Sequence, residues 1–208
     1  MIDVFLIFLA LMLGYLLGSI NTSLIVGKLY GKDIRNFGSN NAGASNAYNV
    51  LGKFAAVIVL IGDVLKGVIA CIVGLMMGVY LYWNGTPECV SLLAAGIGAI
   101  LGHNWPIYFG FKGGKGALTG VTVLFMTNWV MALICLIAFL IIIVVTRYYS
   151  VSAMCAATLF PIFAFTDTFG SSTLYFHIFS ILTPLIVILS HIENIKRLIS
   201  GTEKRLTF

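Results

Sequence analysis

The sequence predicts an all-α, polytopic membrane protein of about seven transmembrane helices, some of them short, with its N-terminus outside and its C-terminus in the cytoplasm. Three observations predict this. Of 208 residues, 60% are apolar and only 9% are charged, whereas an ordinary soluble chain is about 25% charged. The apolar residues come in runs long enough to cross a bilayer, which takes about 20 helical residues per span. The basic residues lie between those runs, and in membrane proteins Lys and Arg mark the cytoplasmic side. Spans of that length leave only short loops, so a single transmembrane domain over 1–208 is expected, with no room for a water-soluble one.

Met1-Ile2-Asp3-Val4 carries no cationic segment and no small-x-small cleavage site precedes Asn21, so the run from Val4 to Val26 is expected to be an uncleaved first helix. The stretch from Lys28 to Lys53, rich in Gly, Asn and Ser and holding Lys28, Lys32, Arg35 and Lys53, is an expected cytoplasmic loop. A second run from Phe54 to about Trp83 carries Asp63 and Lys66 in its interior, and the loop from Asn84 to Cys89, charged only at Glu88, is expected outside. A third run, Val90 to Phe109, returns to Phe111-Lys112-Gly113-Gly114-Lys115-Gly116, whose lysines place it inside.

Read as one helix, Ala117 to Thr146 would be about 45 Å long at about 1.5 Å per residue, well beyond a hydrocarbon core of about 30 Å. A break at Thr127-Asn128-Trp129 makes two helices and keeps Arg147 inside. The same reasoning puts an outer turn at 166–172 between Val151 and Ser190. The spans after Gly116 and Ser152 are then short, about 12 to 15 residues, which is tolerated where a helix lines a protein-filled or wet cavity. The tail from Ile192 to Phe208 holds Lys196, Arg197, Lys204 and Arg205 and is expected in the cytoplasm. With both breaks, eleven of the twelve Lys and Arg fall on the cytoplasmic side, and only Lys66 lies within a span. Without them, five helices would send Arg147, Ser150 and Ser152 outside.

Cys71, Cys89, Cys135 and Cys155 show neither C-x-x-C spacing nor zinc-ligand grouping and read as packing residues, so no metal is expected. The polar residues instead gather in four clusters, all at one expected membrane face: Gly38 to Asn46, Phe111 to Gly116, Ser150 to Ser152, and His191 to Asn194. Glycines let backbone N–H groups turn toward oxygens, helix starts add positive dipole ends, and Arg35, Lys112 and Lys115 supply full charges. That is the chemistry of an anion site. It is not a P-loop: Lys115 is followed by Gly116 rather than Ser or Thr, and Phe109 stands where the first glycine belongs. Neither nucleotide nor nucleic acid is expected as a ligand.

The same residues resemble a family, the bacterial integral-membrane glycerol-3-phosphate acyltransferases that take acyl-phosphate as donor, the PlsY family. The resemblance runs the whole length. It rests on Asp33-Ile34-Arg35 leading into Gly38-Ser39-x-Asn41-x-Gly43-Ala44-x-Asn46, on Asp63-x-x-Lys66-Gly67, on Gly102-His103-x-x-Pro106 before Phe111 to Gly116, on Ser150-Val151-Ser152, and on His191-x-Glu193-Asn194-Ile195-x-Arg197-Leu198. It implies transfer of a fatty acyl group from acyl-phosphate to a hydroxyl of glycerol-3-phosphate, giving lysophosphatidic acid and phosphate for phospholipid synthesis, without a cofactor. The implied setting is the cytoplasmic face of a bacterial plasma membrane, among membrane lipids. It implies too that Ser39, Lys112, Lys115, Ser150, His191 and Asn194 contact substrate and carry the transfer. Arg35, Gly38, Asn41, Gly43, Asn46, Asn49, His103, Gly113, Gly114, Gly116 and Ser152 are the implied substrate- and phosphate-binding positions, with the Gly113-Gly114 backbone cradling oxygens.

Acyl-phosphate already carries a good leaving group, so such an enzyme chiefly holds two anions together and aligns hydroxyl with acyl carbon. Where the family pattern has Gly, Pro, Thr and Arg, this chain has Asn40, Ala42, Ser45 and Asn49. Asn tolerates positive φ and Ser45 keeps a hydroxyl, but losing the arginine removes a charge-assisted bond of about 1.5–3 kcal/mol. That departure leaves room for a catalytically weak or altered-substrate paralogue that binds lipid phosphate. A transporter of organic phosphate is a further alternative, although the outer-side segments offer only Glu88, Asp167 and uncharged polar residues. Plainer roles also exist: Asp63 and Lys66 neutralise each other, and Ser150 and Ser152 cap the helix that follows.

Overall fold

A computed structural model of the chain describes residues 2–83, 89–166 and 173–206. The outer loop expected at Asn84 to Glu88 and the turn expected at Asp167 to Ser172 lie outside the described residues. Ten α-helices and no strand occur among the described residues: α1 (Ile2–Gly18), α2 (Thr22–Leu29), α3 (Ala44–Leu51), α4 (Lys53–Trp83), α5 (Cys89–Asn104), α6 (Ala117–Thr127), α7 (Trp129–Thr146), α8 (Tyr149–Phe165), α9 (Leu174–Ser190) and α10 (Ile192–Ile199). Four stretches are long and apolar enough to cross a membrane: Asp3–Leu29, Lys53–Val79, Val90–Phe109 and Trp129–Thr146. Shorter apolar helices are α6 and α8, and α9 meets α10 at a 57° bend. Along α7, Ile141, Val144 and Val145 are 60%, 68% and 77% exposed, a surface that suits lipid and not water.

The described residues form two compact units, Met1–Val123 and Leu124–Phe208. In the first, α1 lies against α5 almost backbone to backbone. Gly14 and Gly18 of α1 face Ala95 and Ala99, while Gly98 and Gly102 of α5 face the backbone of Leu11, Tyr15 and Ser19, and a Cβ at any of the four would collide. Small residues four apart permit this approach in membrane helices. It fixes the C-terminal end of α5, which carries His103 and Asn104.

The first apolar run is not one helix, as the sequence implied, but α1 and α2 parted at Ser19-Ile20-Asn21. Local polar groups make the break. Asn21 caps α2, its Oδ1 accepting from the Leu24 N–H at 3.2 Å and from Ser23 Oγ at 2.7 Å, a use that Asn favours over a helix interior. Ser19 Oγ donates back to the Tyr15 carbonyl at 2.7 Å.

In the second unit, the break expected at Thr127-Asn128-Trp129 is present: Asn128 Oδ1 accepts from the Met131 N–H at 3.0 Å and caps α7. The helix before it, α6, is short as expected, with 11 residues. The helix after Arg147 is not. It starts at Tyr149 rather than beyond Ser152 and runs for 17 residues, so Ser150 and Ser152 sit inside its first turn and neither is its cap. Ser152 Oγ donates to the Tyr148 carbonyl at 2.8 Å, which ties the hydroxyl to its own helix. Farther along, Phe160 packs edge-to-face on Phe176 and Phe179, with centroids 5.6 and 5.5 Å apart, joining α8 to α9.

Candidate functional site

In the first unit the polar residues gather around the end of α5 and two loops, 33–43 and 105–116. Asn46 organises the first loop from within. Its Nδ2 donates to the carbonyls of Ile34 at 2.8 Å and Phe37 at 3.1 Å, and its Oδ1 accepts from the Ser39 N–H at 2.9 Å. Both N–H groups of this fully buried side chain are thereby used, so Asn46 shapes the loop that presents Ser39 and has no N–H left for a substrate oxygen. Asn40 adopts φ 60°, the left-handed geometry that Asn tolerates, and its Nδ2 donates to the Arg35 carbonyl at 2.8 Å. Gly43 is the cap residue of α3, Asn41 is half-buried beside it, and Gly38 leaves no room for a Cβ against Asn46. Ser39 and Asn49 are exposed.

Arg35 joins the two loops. Its Nε and Nη2 bind the Asp33 carboxylate, with Nη2 2.7 Å from Oδ2, and its Nη1 donates to the carbonyls of Phe109 at 3.0 Å and Lys112 at 2.9 Å. Hydrogen bonding from the guanidinium holds Asp33 below the usual carboxylate range. Only one N–H of the five, on Nη2, is left for an incoming phosphate, so Arg35 acts here first as a brace between loops.

The glycine loop departs from expectation. The Gly113 N–H donates to the Asn104 carbonyl at 3.1 Å and the Gly114 N–H to the His103 carbonyl at 3.0 Å. These two donors therefore do not cradle oxygens; they satisfy carbonyls at the end of α5, which lack partners within their own helix. Gly114 must be glycine because a Cβ there would strike His103 Nε2 and stand 2.6 Å from the Ala42 carbonyl oxygen. Gly116 has φ +69° and faces Asn104, turning the chain into α6. Docked in this way, the loop displays Lys112, exposed, and Lys115, half-buried.

Beneath the loop lies a buried ionic cluster. Lys66 Nζ is 2.9 Å from Asp63 Oδ1, 2.8 Å from His103 Nδ1 and 3.3 Å from the Ile20 carbonyl. Asp63, Lys66 and His103 are 1%, 6% and 4% exposed, so His103, a binding position by the resemblance, lies buried beneath the loop and not at its surface.

The second unit contains its own polar cluster, centred on a residue that the sequence reading missed. The Glu203 carboxylate accepts from Ser150 Oγ at 2.8 Å, Asn194 Nδ2 at 2.6 Å and Arg197 Nε at 2.8 Å. Burial alone would raise its pKa, but the bonds from Arg197, Asn194 and Ser150 outweigh that and hold it below the usual glutamate range. Ser150 and Asn194 thus share one acceptor, an acid in the tail. Glu203 stood as one acid among the basic residues Lys204 and Arg205, which read only as a topology signal. His191, fully buried, ends α9 and directs Nδ1 to the Val187 carbonyl at 2.7 Å; since a carbonyl only accepts, Nδ1 carries a proton. The tail closes over the start of α8, with the Leu206 N–H on the Arg147 carbonyl at 2.8 Å and Arg205 Nε on Tyr148 Oη at 3.0 Å.

Comparison with known proteins gives a consistent result. A family model described as glycerol-3-phosphate acyltransferase matches residues 8–201. A glycerol-3-phosphate acyltransferase of Macrococcus caseolyticus is 40% identical over 203 residues, covering 96% of this chain and 97% of its own. Glycerol-3-phosphate acyltransferase 2 of Bacillus anthracis is 38% identical over 199 residues, covering 95% and 98%. Among solved structures, the glycerol 3-phosphate form of PlsY (YgiH), an integral membrane glycerol 3-phosphate acyltransferase, superposes with a TM-score of 0.82 at 34% identity, covering all of this chain and 96% of that one. Its lysophosphatidic acid form gives 0.80 at 33% identity.

Proposed function

This chain belongs to the glycerol-3-phosphate acyltransferase family, an integral membrane enzyme, and from that premise we propose the finer chemistry. The donor is acyl-phosphate. The glycerol hydroxyl oxygen bonds to the acyl carbon, the mixed-anhydride bond breaks, and phosphate leaves with the electron pair and takes up the hydroxyl proton, yielding lysophosphatidic acid. One observation carries this reading: Lys112 and Lys115 flank a glycine loop that is fastened to α5 through Gly113 and Gly114, a rigid mount for two cations. Such a mount suits a reaction whose main task is holding two phosphate-bearing anions together. Ser39 in the first unit, and Ser150, His191 and Asn194 in the second, are assigned to substrate by the resemblance.

In the proposed topology α1 with α2 forms the first span and α4, α5, α6, α7, α8 and α9 the other six, with the N-terminus outside and the lysine loop at the cytoplasmic face of a bacterial plasma membrane. The test is purified protein given glycerol-3-phosphate with acyl-phosphate, acyl-CoA or the acyl thioester of acyl carrier protein in parallel, with the product read by mass spectrometry. Product from acyl-phosphate alone is the expected result; product from acyl-CoA alone would overturn the donor assignment.

Asn49 supports a second reading, an enzyme with an altered acceptor. Asn49→Arg lowers the KM for glycerol-3-phosphate about tenfold or more if only the family cation is missing. If the pocket favours a neutral polyol instead, the same change lowers transfer to that acceptor.

A further inference from the structure

The buried cluster of Asp63, Lys66 and His103 has no part in the chemistry assigned so far, yet it is costly to maintain. Three ionisable side chains, each at most 6% exposed, are a burden that packed apolar residues would not impose. Lys66 Nζ is its hub, hydrogen-bonded to His103 Nδ1 and the Ile20 carbonyl and ion-paired with Asp63 Oδ1. An ammonium has three N–H donors and no acceptor, and three acceptors surround Lys66 Nζ: Asp63 Oδ1 at 2.9 Å, His103 Nδ1 at 2.8 Å and the Ile20 carbonyl at 3.3 Å. The 3.6 Å from His103 Nδ1 to Asp63 Oδ1 is too long for a hydrogen bond. Lys66 is therefore the donor to Nδ1, and a ring that accepts there carries its proton on Nε2.

Nε2 lies at a junction. A Cβ built on Gly114 would run into both Nε2 and, at 2.6 Å, the Ala42 carbonyl oxygen. The His103 carbonyl meanwhile holds the Gly114 N–H. The ring edge bearing the Nε2 proton thus faces the point where the lysine loop and the segment Asn41-Ala42-Gly43 meet.

We propose that Asp63 and Lys66 are positioning residues for acyl transfer: they lock His103 as the neutral Nε2–H tautomer and so hold the Lys112–Lys115 loop in register with the Ser39 loop. Asp63 orients the ammonium, Lys66 selects the tautomer, and His103 presents an N–H edge, polar and uncharged, under Gly114. The proposal rests on the reading that Lys112 and Lys115 meet the substrate phosphates.

The experiment has a structural and a kinetic arm. ¹⁵N spectra of histidine-labelled full-length protein in lipid contain three histidines, and the His103 signals are identified by their loss in His103→Gln. Without substrate, wild-type His103 shows the Nε2–H tautomer; an Nδ1–H ring or an imidazolium overturns the proposal. This arm needs no variant that must fold beyond the assignment and is independent of the donor, so it stands even if acyl-phosphate proves inactive.

Two charge-neutral double variants supply the kinetics. Asp63→Asn/Lys66→Gln keeps a donor beside Nδ1, whereas Asp63→Leu/Lys66→Met does not. The first keeps the tautomer and stays within about threefold of wild-type kcat/KM; the second loses it and falls about tenfold to a hundredfold, as for other supports behind a site, mainly through the KM for glycerol-3-phosphate. Equal activity in the two folded variants overturns the proposal, and if either fails to fold, the wild-type tautomer decides alone. Absence of transfer by wild type with all three donors would instead strike the functional reading and leave the tautomer result standing.

Discussion

Two ion pairs of identical spacing stand at opposite extremes of environment. Asp63 and Lys66 on α4 are an i, i+3 pair at 2.9 Å with side chains 1% and 5% exposed, whereas Glu193 and Lys196 on α10 are an i, i+3 pair at 2.7 Å with side chains 70% and 67% exposed. By distance the second is the better bond. By consequence it is the lesser, because water and salt screen an exposed pair and side-chain entropy offsets its attraction, while a buried charge that loses its partner has no water to turn to. Glu203 falls between them, 10% exposed and held at 2.8 Å by Arg197. Surroundings, rather than ion-pair geometry, set what each is worth.

The comparison breaks most sharply at Lys66. Lys66→Met alone strands the Asp63 carboxylate and should destabilise the first unit by about 3–5 kcal/mol, read as denaturant-induced unfolding in detergent. Adding Asp63→Leu should restore most of that loss, because two apolar groups replace a pair that was expensive to bury. If the two changes are simply additive, the pair is not coupled and the contrast with α10 fails.

Glu203→Ala tests the middle case. It leaves Asn194 and Ser150 without their shared acceptor and should destabilise the second unit by about 1–3 kcal/mol. A pH titration sharpens it further. The folded pKa of Glu203 lies below that of an unfolded glutamate, so its contribution is complete above the unfolded value and is lost as pH falls through the folded one. Wild type should therefore lose stability faster than Glu203→Gln between about pH 6 and about pH 3. Parallel curves would mean that the carboxylate contributes nothing as a charge.

The smallest effect belongs to α10. Glu193→Ala should leave thermal stability unchanged within error and insensitive to salt, and a loss as large as that of Glu203→Ala would erase the distinction.

Much of this protein is determined by its sequence alone. Uninterrupted apolar runs and interposed lysines specify helices in a bilayer because span length and charge placement are local properties. The helix break at Asn128 was legible for the same reason: about 30 residues are too long for one upright span, and Asn is a ready cap. The residues flanking the lysine loop were legible because Lys-Gly-Gly-Lys-Gly concentrates charge and backbone freedom in one place. Other features were decided only by tertiary structure. The sequence offered the N–H groups of Gly113 and Gly114 to a phosphate, but the fold brings the end of α5 to them first, through glycine and alanine contacts that no single stretch displays. Arg35 looked like an anion ligand until two carbonyls more than seventy residues away took both protons of its Nη1. Glu203 looked like one more tail charge until Ser150, Asn194 and Arg197 converged on it. A sequence fixes the number of donors and acceptors in a chain, but their pairing depends on which distant groups arrive within about 3 Å of one another, and only packing decides that.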